Sequence, residues 1–396
     1  MAVKTRLDII LLGATGFTGK YVVDMLVKIN KDKNYADVTW GIAGRSKEKL
    51  ENIMQGVDTS KIPVLESDIK NEASLKAVAS RAKVLMNSTG PNTLLSEPVV
   101  RACLASGTHY VDISAELHVK DSKVLIIPSC GFASIPVTTG LIHLQKNFEG
   151  DLHSVECYSE LDVPKRAYFP GPNNSLLHYG TWESTIHEFR NRRTYLERKI
   201  GGVKLFSLRN FWIRSPCSRP AIEAMNIGKL WFPYPGPEND VIEMGERYLH
   251  EKTGKKPVHC KVYCTMPHPV HFVAVPGFLF YYYASYMRCF RKLLWKFPKM
   301  FSLGYMSHEG PTEEMMKVTK YCFTLFGKGW EKKPADPKAT PPNKNITVVV
   351  GILIFIRPLA FSLVYSRFVR REFFINKCVL KHIINNAFTE WSYQNF

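Results

Sequence analysis

The apolar positions of this chain first fall into short continuous runs with helical stripes between them. Residues 9–12 (Ile-Ile-Leu-Leu), 38–43, 62–66, 83–87 and 108–113 are such runs, each bounded by turn or polar residues. A strand buried on both faces reads this way, whereas a half-buried strand alternates. Between them, residues 21–30 carry an apolar stripe (Val22, Val23, Leu26, Val27, Ile29) at helical spacing. A second helix opens at residues 46–50, and 72–81 and 97–106 repeat the helical pattern. Strands alternating with helices predict an α/β fold: a doubly wound, Rossmann-type parallel sheet with right-handed crossovers.

The turn after the first run carries the first candidate chemistry. Gly13, Gly16 and Gly19 stand in a G-x-x-G-x-x-G spacing, with Thr15, Phe17 and Thr18 between them. Gly13 permits the tight turn, Gly16 lets a phosphate approach the backbone, and Gly19 lets the helix lie close on the strand. A helix start offers free N–H groups and a positive dipole end, which suit a pyrophosphate. The spacing departs from the usual G-x-G-x-x-G fingerprint, so a glycine-rich turn that binds nothing is the plain alternative. The second run ends in Gly44-Arg45-Ser46, with no acidic residue there. An acid at this place favours NAD and an arginine favours the 2′-phosphate of NADP, so Arg45 points to NADP, with NAD the lesser option. The fourth run ends in Ser88-Thr89-Gly90-Pro91. Small residues after that strand are what the fold sets beside a nicotinamide, which adds Gly90 and Pro91 to the cofactor set.

Five pieces in order, Gly13 to Gly19, Ala43 to Ser46, Asn87 to Pro91, Tyr110 to Ser114 and Gly131 to Pro136, resemble the saccharopine dehydrogenase-like oxidoreductases in their animal branch. Gly180-Thr181-Trp182, Lys296-Phe297-Pro298 and Gly310-Pro311-Thr312 extend the resemblance over about residues 6–330. It implies a nucleotide-binding Rossmann domain, a second α+β domain with a mixed sheet, and association with lipid droplets or membranes. It does not imply lysine catabolism. By motif position, Glu116 and Ser134 are the polar groups nearest a substrate. Ala133 stands where the family pattern has Asp, and Ala can neither hold a donor nor accept a proton. The link from Glu116 to residues 124–128 is shorter than in relatives, and the chain beyond about Pro341 departs from them.

Charge and cysteine usage narrow the partners. The 396 residues allow two or three domains. A net charge of +18 suggests an acidic partner: a phosphate-bearing cofactor, an anionic lipid surface or nucleic acid. No zinc-finger, RNP-like or homeodomain pattern is present, so nucleic acid is not expected. The nine cysteines form no C-x-x-C pair, and Cys260 and Cys264 lack a second ligand pair, so no metal is expected. An odd number of thiols in a long chain fits a reduced, cytosolic setting. The first apolar run is too short for a signal peptide and already serves as a strand.

The second half is read as residues 137–331, with residues 1–136 forming the nucleotide domain. Residues 155–161 alternate enough for a strand, 164–174 form a Pro/Gly/Asn loop, and 181–193 look helical. His178 and Thr181, in a Gly-flanked turn, are candidates to face a small-molecule or lipid substrate; the plain alternative makes Thr181 a helix N-cap. Arg190, Arg192, Arg193 and Arg198 begin a basic run read as solvated surface. Residues 262–287 contain no charged side chain, and five Lys or Arg follow between 288 and 299. The dense part, 272–287, is about 24 Å long as a helix, short of a bilayer core of about 30 Å, and Pro276-Gly277 interrupts it. An aromatic, apolar segment beside a basic cluster is the pattern of an interfacial anchor; a buried strand and helix is the alternative. Residues 332–345 read as a Pro-rich linker and 346–396 as an apolar, basic tail. Within the tail, residues 346–365 are marginal for a membrane span. Thirteen Ile, Val, Leu and Phe contribute about −6 kcal/mol and Arg357 costs about +3. The arginines that follow would keep the C-terminal side cytoplasmic. Two readings result: an NADP-dependent oxidoreductase at a lipid droplet or the cytoplasmic face of a membrane, or a catalytically inactive nucleotide-binding surface protein.

Overall fold

In the computed structural model, residues 6–33, 35–58, 60–113, 124–131, 134–168, 174–198, 231–234, 238–265, 277, 280–336 and 339–353 are described. Glu116, Ala133 and the tail beyond residue 353 lie outside them. The chain divides into two compact units at Ile135/Pro136.

The first unit is built on β1 (Leu7–Leu12), β2 (Trp40–Gly44), β3 (Val64–Glu66), β4 (Ala82–Asn87), β5 (His109–Asp112) and β6 (Ile126–Ile127). All neighbours are parallel, in the order β3-β2-β1-β4-β5-β6. That order puts the reversal of strand order between β1 and β4, which is where this class of sheet opens a crevice at its carboxyl edge. The helices α1 (Phe17–Asn30), α2 (Lys47–Ile53), α3 (Glu72–Ala79) and α4 (Asn92–Ser106) are the crossovers. One face of the sheet packs Ile9, Leu11 and Ile42 with Val22, Val23 and Leu26 of α1; the other packs Ile10, Leu12 and Leu85 with Leu75 and Val99. Both faces are therefore dry, which is why the strands read as unbroken apolar runs. Strand β2 begins two residues later than the run at 38–43, because Thr39 is tied sideways to Asp8: its N–H and hydroxyl both donate to Asp8 Oδ2, at 2.9 and 2.8 Å.

The helix α5 (Ser134–Asn147) crosses the division. The second unit has a mixed five-stranded sheet of β7 (Asp151–Asp162), β9 (Trp231–Pro233), β10 (His259–Thr265), β12 (Lys320–Trp330) and β13 (Lys344–Leu353). The order is β13-β12-β7-β10-β9, with β7 and β10 parallel and the other neighbours antiparallel. Helix α5 lies on it so closely that a Cβ at Gly140 would come within 3.0 Å of Leu325 and Val350. A parallel pair of two-residue strands, β8 (Leu177–His178) and β11 (Met306–Ser307), precedes α6 (Tyr179–Arg198) and follows α8 (Arg288–Lys296). Between β9 and β10 runs α7 (Glu238–Thr253).

Three expectations change here. Residues 344–353 are the edge strand β13, paired along its length with β12, so the proposed span at 346–365 loses its first turns to a sheet. The Pro-rich stretch before it is the connection of that hairpin rather than a free linker: the Trp330 indole donates to Thr340 O and Pro341 O at 3.2 and 3.0 Å, and Asn343 N–H to Gly329 O at 3.0 Å. Thr181 is not an N-cap. Helix α6 starts two residues earlier, and His178 Nδ1 accepts the Gly180 N–H at 3.0 Å in the capping role. Among the described residues, no helix is long and apolar enough to cross a membrane.

Candidate functional site

The carboxyl ends of β1 and β4 meet at the strand-order reversal. Gly13 sits there with φ +88°, and a Cβ on it would come within 2.7 Å of Thr89. Ser88 locks the two ends together, its hydroxyl donating to Leu12 O at 3.0 Å and Gly13 O at 3.1 Å. Gly19 is required by packing, since its Cβ would lie 2.2 Å from Gly13 O and 2.8 Å from the Ala14 backbone. Gly16 is different. Its φ of −72° suits any residue, and the nearest atom to a Cβ there is Gly13 O at 3.3 Å. What the glycine leaves uncovered at that position is the start of α1.

The four crossover helices divide by how their first turns are finished. Helix α2 is capped by Ser46, which accepts from Lys49 N–H at 3.4 Å, and α3 by Asn71, which accepts from Ser74 N–H at 3.1 Å. Each also has an acid in its first turn, Glu48 and Glu72. Helices α1 and α4 start at Gly16 and Pro91, with no side-chain cap and no first-turn acid. First-turn N–H groups have no intrahelical partner, and the helix end is positive. The two starts left ready for an anion are thus those that follow β1 and β4, the strands flanking the reversal. Arg45, exposed at the end of β2, adds a cation at the next strand along.

A buried polar chain supports the β4 end. Asn87 is fully buried; its Oδ1 accepts from Thr89 N–H at 3.1 Å and from the Thr89 hydroxyl at 2.5 Å. Its Nδ2 donates to Tyr110 OH at 3.0 Å, and Tyr110 OH donates to Asp112 Oδ2 at 2.6 Å. Asp112 Oδ1 accepts the N–H of Ser129, which takes a left-handed φ of 61°. Burial, then the Asp112 charge, pushes the Tyr110 phenol far above its ordinary value, so it stays a donor. The pattern of small residues after β4 pointed to Gly90 and Pro91 but not to this chain, whose members come from three strand ends.

Of the substrate candidates, Ser134 is buried at the start of α5, while His178 and Thr181 lie together at the start of α6. The His178 ring is already engaged by the Gly180 N–H, and Thr181 is exposed. Sequence reasoning missed their neighbours. The Tyr179 ring stacks on His308 at 4.2 Å, and its hydroxyl is hydrogen-bonded to Glu183. Burial holds the Glu183 carboxyl above the ordinary range although Tyr179 and His308 oppose it. The spacing of Tyr179 and Glu183, one helical turn, was the available signal. Among the described residues no cluster of metal ligands forms, and burial pushes the thiols of Cys103, Cys130, Cys260 and Cys264 up to about 12, where they are inert.

A further surface belongs to the second unit. Among the described residues, eight of the twelve exposed large hydrophobic side chains lie between Phe280 and Leu303, with Tyr283 69% and Met300 61% exposed. Arg288, Lys292, Lys296 and Lys299 are exposed among them.

A doubly wound sheet in the 3-2-1-4-5-6 order, with an anion-ready helix start after β1, defines a dinucleotide-binding protein of the oxidoreductase type. Residues 9–126 match the saccharopine dehydrogenase NADP binding domain, and NADP is the cofactor of this unit. The saccharopine dehydrogenase-like oxidoreductases of Mus musculus and Homo sapiens are each 30% identical to the chain, over 383 and 381 residues. In both cases the match takes in 89% of this chain and 85% of the relative. The chain belongs to the saccharopine dehydrogenase-like oxidoreductase family. The matched share exceeds what residues 6–330 make up, so the likeness runs further than those motifs. A Caenorhabditis elegans relative, lipid droplet localized protein, is 27% identical over 363 residues, 84% of this chain and 81% of that protein. Among solved structures, apo saccharopine dehydrogenase (L-Glu forming) from Saccharomyces cerevisiae superposes with a TM-score of 0.49 and 11% identity, covering 97% of this chain and 98% of that one.

Proposed function

We propose that this chain is an active NADPH-dependent reductase that works while seated on a lipid surface, a lipid droplet or the cytoplasmic face of a membrane. NADPH would supply the hydride. The chain's own residues would hold the cofactor. The α1 start at Gly16, Phe17 and Thr18 receives the pyrophosphate, Arg45 pairs with the 2′-phosphate, and Thr89, Gly90 and Pro91, fixed from behind by Asn87, border the nicotinamide. The observation that carries the surface half is the exposed aromatic and basic face between Phe280 and Leu303. Aromatic rings suit the headgroup level, and the interspersed cations suit an anionic leaflet. The name of the worm relative supports the same reading. A substrate reached from such a surface is apolar or lipid-like. Ala133, where an acid would serve as a proton acceptor, favours the second reading, a nucleotide-binding surface protein without turnover.

The test is a titration with NADPH and NADH read by nicotinamide fluorescence, followed by NADPH oxidation on protein bound to droplets. NADPH preferred over NADH, with the preference lost about tenfold or more in Arg45→Glu, is the expected result. Preference unchanged in Arg45→Glu would refute the cofactor geometry. Binding without oxidation across a set of lipid carbonyl and imine substrates would leave the inactive reading standing.

A further inference from the structure

Helices α6 and α8 pack side by side in the second unit. The Trp182 indole donates to Leu294 O at 2.8 Å, and Trp182, Ile186 and Leu294 fill the seam between them. One turn further along, the filling changes from apolar to basic. His187, one residue after Ile186, and Arg291, three residues before Leu294, are 5% and 8% exposed. The His187 ring lies 4.8 Å from the Trp295 ring, and the Arg291 guanidinium carbon lies 5.6 Å from the Trp295 centroid.

The hydrogen bonding here is incomplete. Arg291 Nη1 donates to Ser285 O at 2.8 Å, but among the described residues Arg291 Nε, Trp295 Nε1 and His187 Nδ1 are buried with no partner. Three unpartnered nitrogens in one place are unusual, because buried polar atoms are nearly always paired. Two of them, the guanidinium Nε and the indole N–H, can only donate. The charge is as one-sided as the bonding. Burial first, then Arg190 and Arg288, lowers Arg291, and burial, then Arg190 and Arg291, lowers His187; among the described residues no carboxylate acts on either. Donors without acceptors and cations without an anion are complementary to one thing, an oxyanion. A water molecule would satisfy single bonds and leave the charge unbalanced.

The geometry points to a phosphate site on the α6–α8 seam, held by Arg291, Trp295 and His187 with Arg190 and Arg288 beside it, which takes the headgroup phosphate of an anionic phospholipid. The headgroup as source rests on the lipid-surface reading above, since the exposed side chains of α8, Lys292 and Leu293 among them, belong to that face. The phosphate chemistry itself does not rest on it. Together the two make the docking selective: exposed aromatics hold any lipid surface, and the seam reads its phosphate.

The test uses the full chain with NADP saturating, so that the nucleotide unit's own anion site is filled. Flotation with vesicles of phosphatidylcholine alone, and with one fifth phosphatidic acid, is compared for the wild type, Arg291→Gln, Arg291→Lys and Lys292→Gln. Lys292→Gln should lower the preference for acidic vesicles about fivefold, the ordinary worth of one surface cation. Both Arg291 variants should lower it by more than tenfold, while binding to phosphatidylcholine, whose phosphate is neutralised by its own choline cation, changes far less. Arg291→Lys keeps the charge but not Nε, and decides the matter if Arg291→Gln does not fold. In parallel, inorganic phosphate should raise the melting temperature of the wild type more than that of the Arg291 variants. A phosphate response that depends on Arg291, with no such dependence in the vesicles, would uphold the oxyanion site and make free phosphate its ligand. No difference between the Arg291 variants and Lys292→Gln in either assay would overturn the site. If the wild type floats with neither vesicle, the surface reading fails, and the phosphate titration alone decides the site.

Discussion

The first unit buries the charge of Asp112 and the second that of Arg291, and the two are finished differently. In the first unit the Asp112 carboxylate is fully buried and both of its oxygens are occupied, by Tyr110 OH and Ser129 N–H, while Tyr110 in turn is held by Asn87. In the second unit Arg291 is almost as buried, yet it and its neighbours leave three nitrogens unused. A closed polar network fixes a shape, because every member is lost with any other. An open one holds a place. The first stands behind the turn at Thr89, and all its members are paired; the second presents unpaired nitrogens and positive charge, which is what the proposed oxyanion would match.

The sharpest way to break the first half is through the close packing on which its turn depends. Gly19→Ala would put a carbon 2.2 Å from Gly13 O, with backbone on the other side. Backbone cannot swing away as a side chain can, so a loss of about 3 kcal/mol or more is expected, together with NADPH binding. Urea unfolding and the nicotinamide titration check it. By contrast, Gly16→Ala should cost less stability while weakening NADPH, since its Cβ would meet Gly13 O at 3.3 Å, a contact relieved by a small shift, and would obstruct the approach of a phosphate. A mild effect of Gly19→Ala would mean that α1 can shift away from the Gly13 turn at little cost.

Next in size, Tyr110→Phe leaves the Asp112 carboxylate and the Asn87 amide each short of a partner in a dry core. About 1–3 kcal/mol is expected. Removing a buried arginine would ordinarily cost more than that. Arg291→Met should instead fall within about 1 kcal/mol of the wild type in the absence of phosphate or lipid, because an uncompensated buried charge is replaced by an apolar chain of similar length. If Arg291→Met proves as costly as a broken buried ion pair, the seam is structural and the contrast between the two units disappears.

How much of this was legible in the sequence follows the range of the interactions. The strand-helix alternation is a local pattern, and the structure builds it as read, with the glycines in the turn after β1 and with β2 shifted by its Thr39–Asp8 tie. The start of the marginal span, residues 346–353, falls in β13 instead, because an apolar run of that length looks the same in an edge strand as in a membrane helix. Pairing with β12, closed by the Trp330 indole, decides between them. The Asp112 chain joins ends of three strands. The seam joins His187 to Arg291 across 104 positions, and Arg190 by itself reads as a solvated charge. Neither has a local signature, since each is made by packing.

The smallest effect is the dependence of stability on pH, and it tests whether His187 is the neutral member of an otherwise cationic seam. Burial, then Arg190 and Arg291, holds its folded-state pKa below the ordinary value of 6.5. The unfolded chain therefore takes up a proton near that pH while the folded chain still refuses it. The stability linked to His187 is complete above pH 6.5 and is lost as pH falls below it toward the depressed folded value. Burial likewise lowers His109, His178 and His259, so the wild type should lose stability between pH 7 and pH 5. His187→Gln, which cannot titrate, should lose less over the same interval, as read from urea midpoints at the two pH values. Saturating phosphate should shrink the difference between wild type and variant, because an anion on the seam offsets the two arginines that oppose the proton. Identical slopes for both proteins would mean that His187 titrates alike folded and unfolded, and that burial and the two arginines do not hold it neutral.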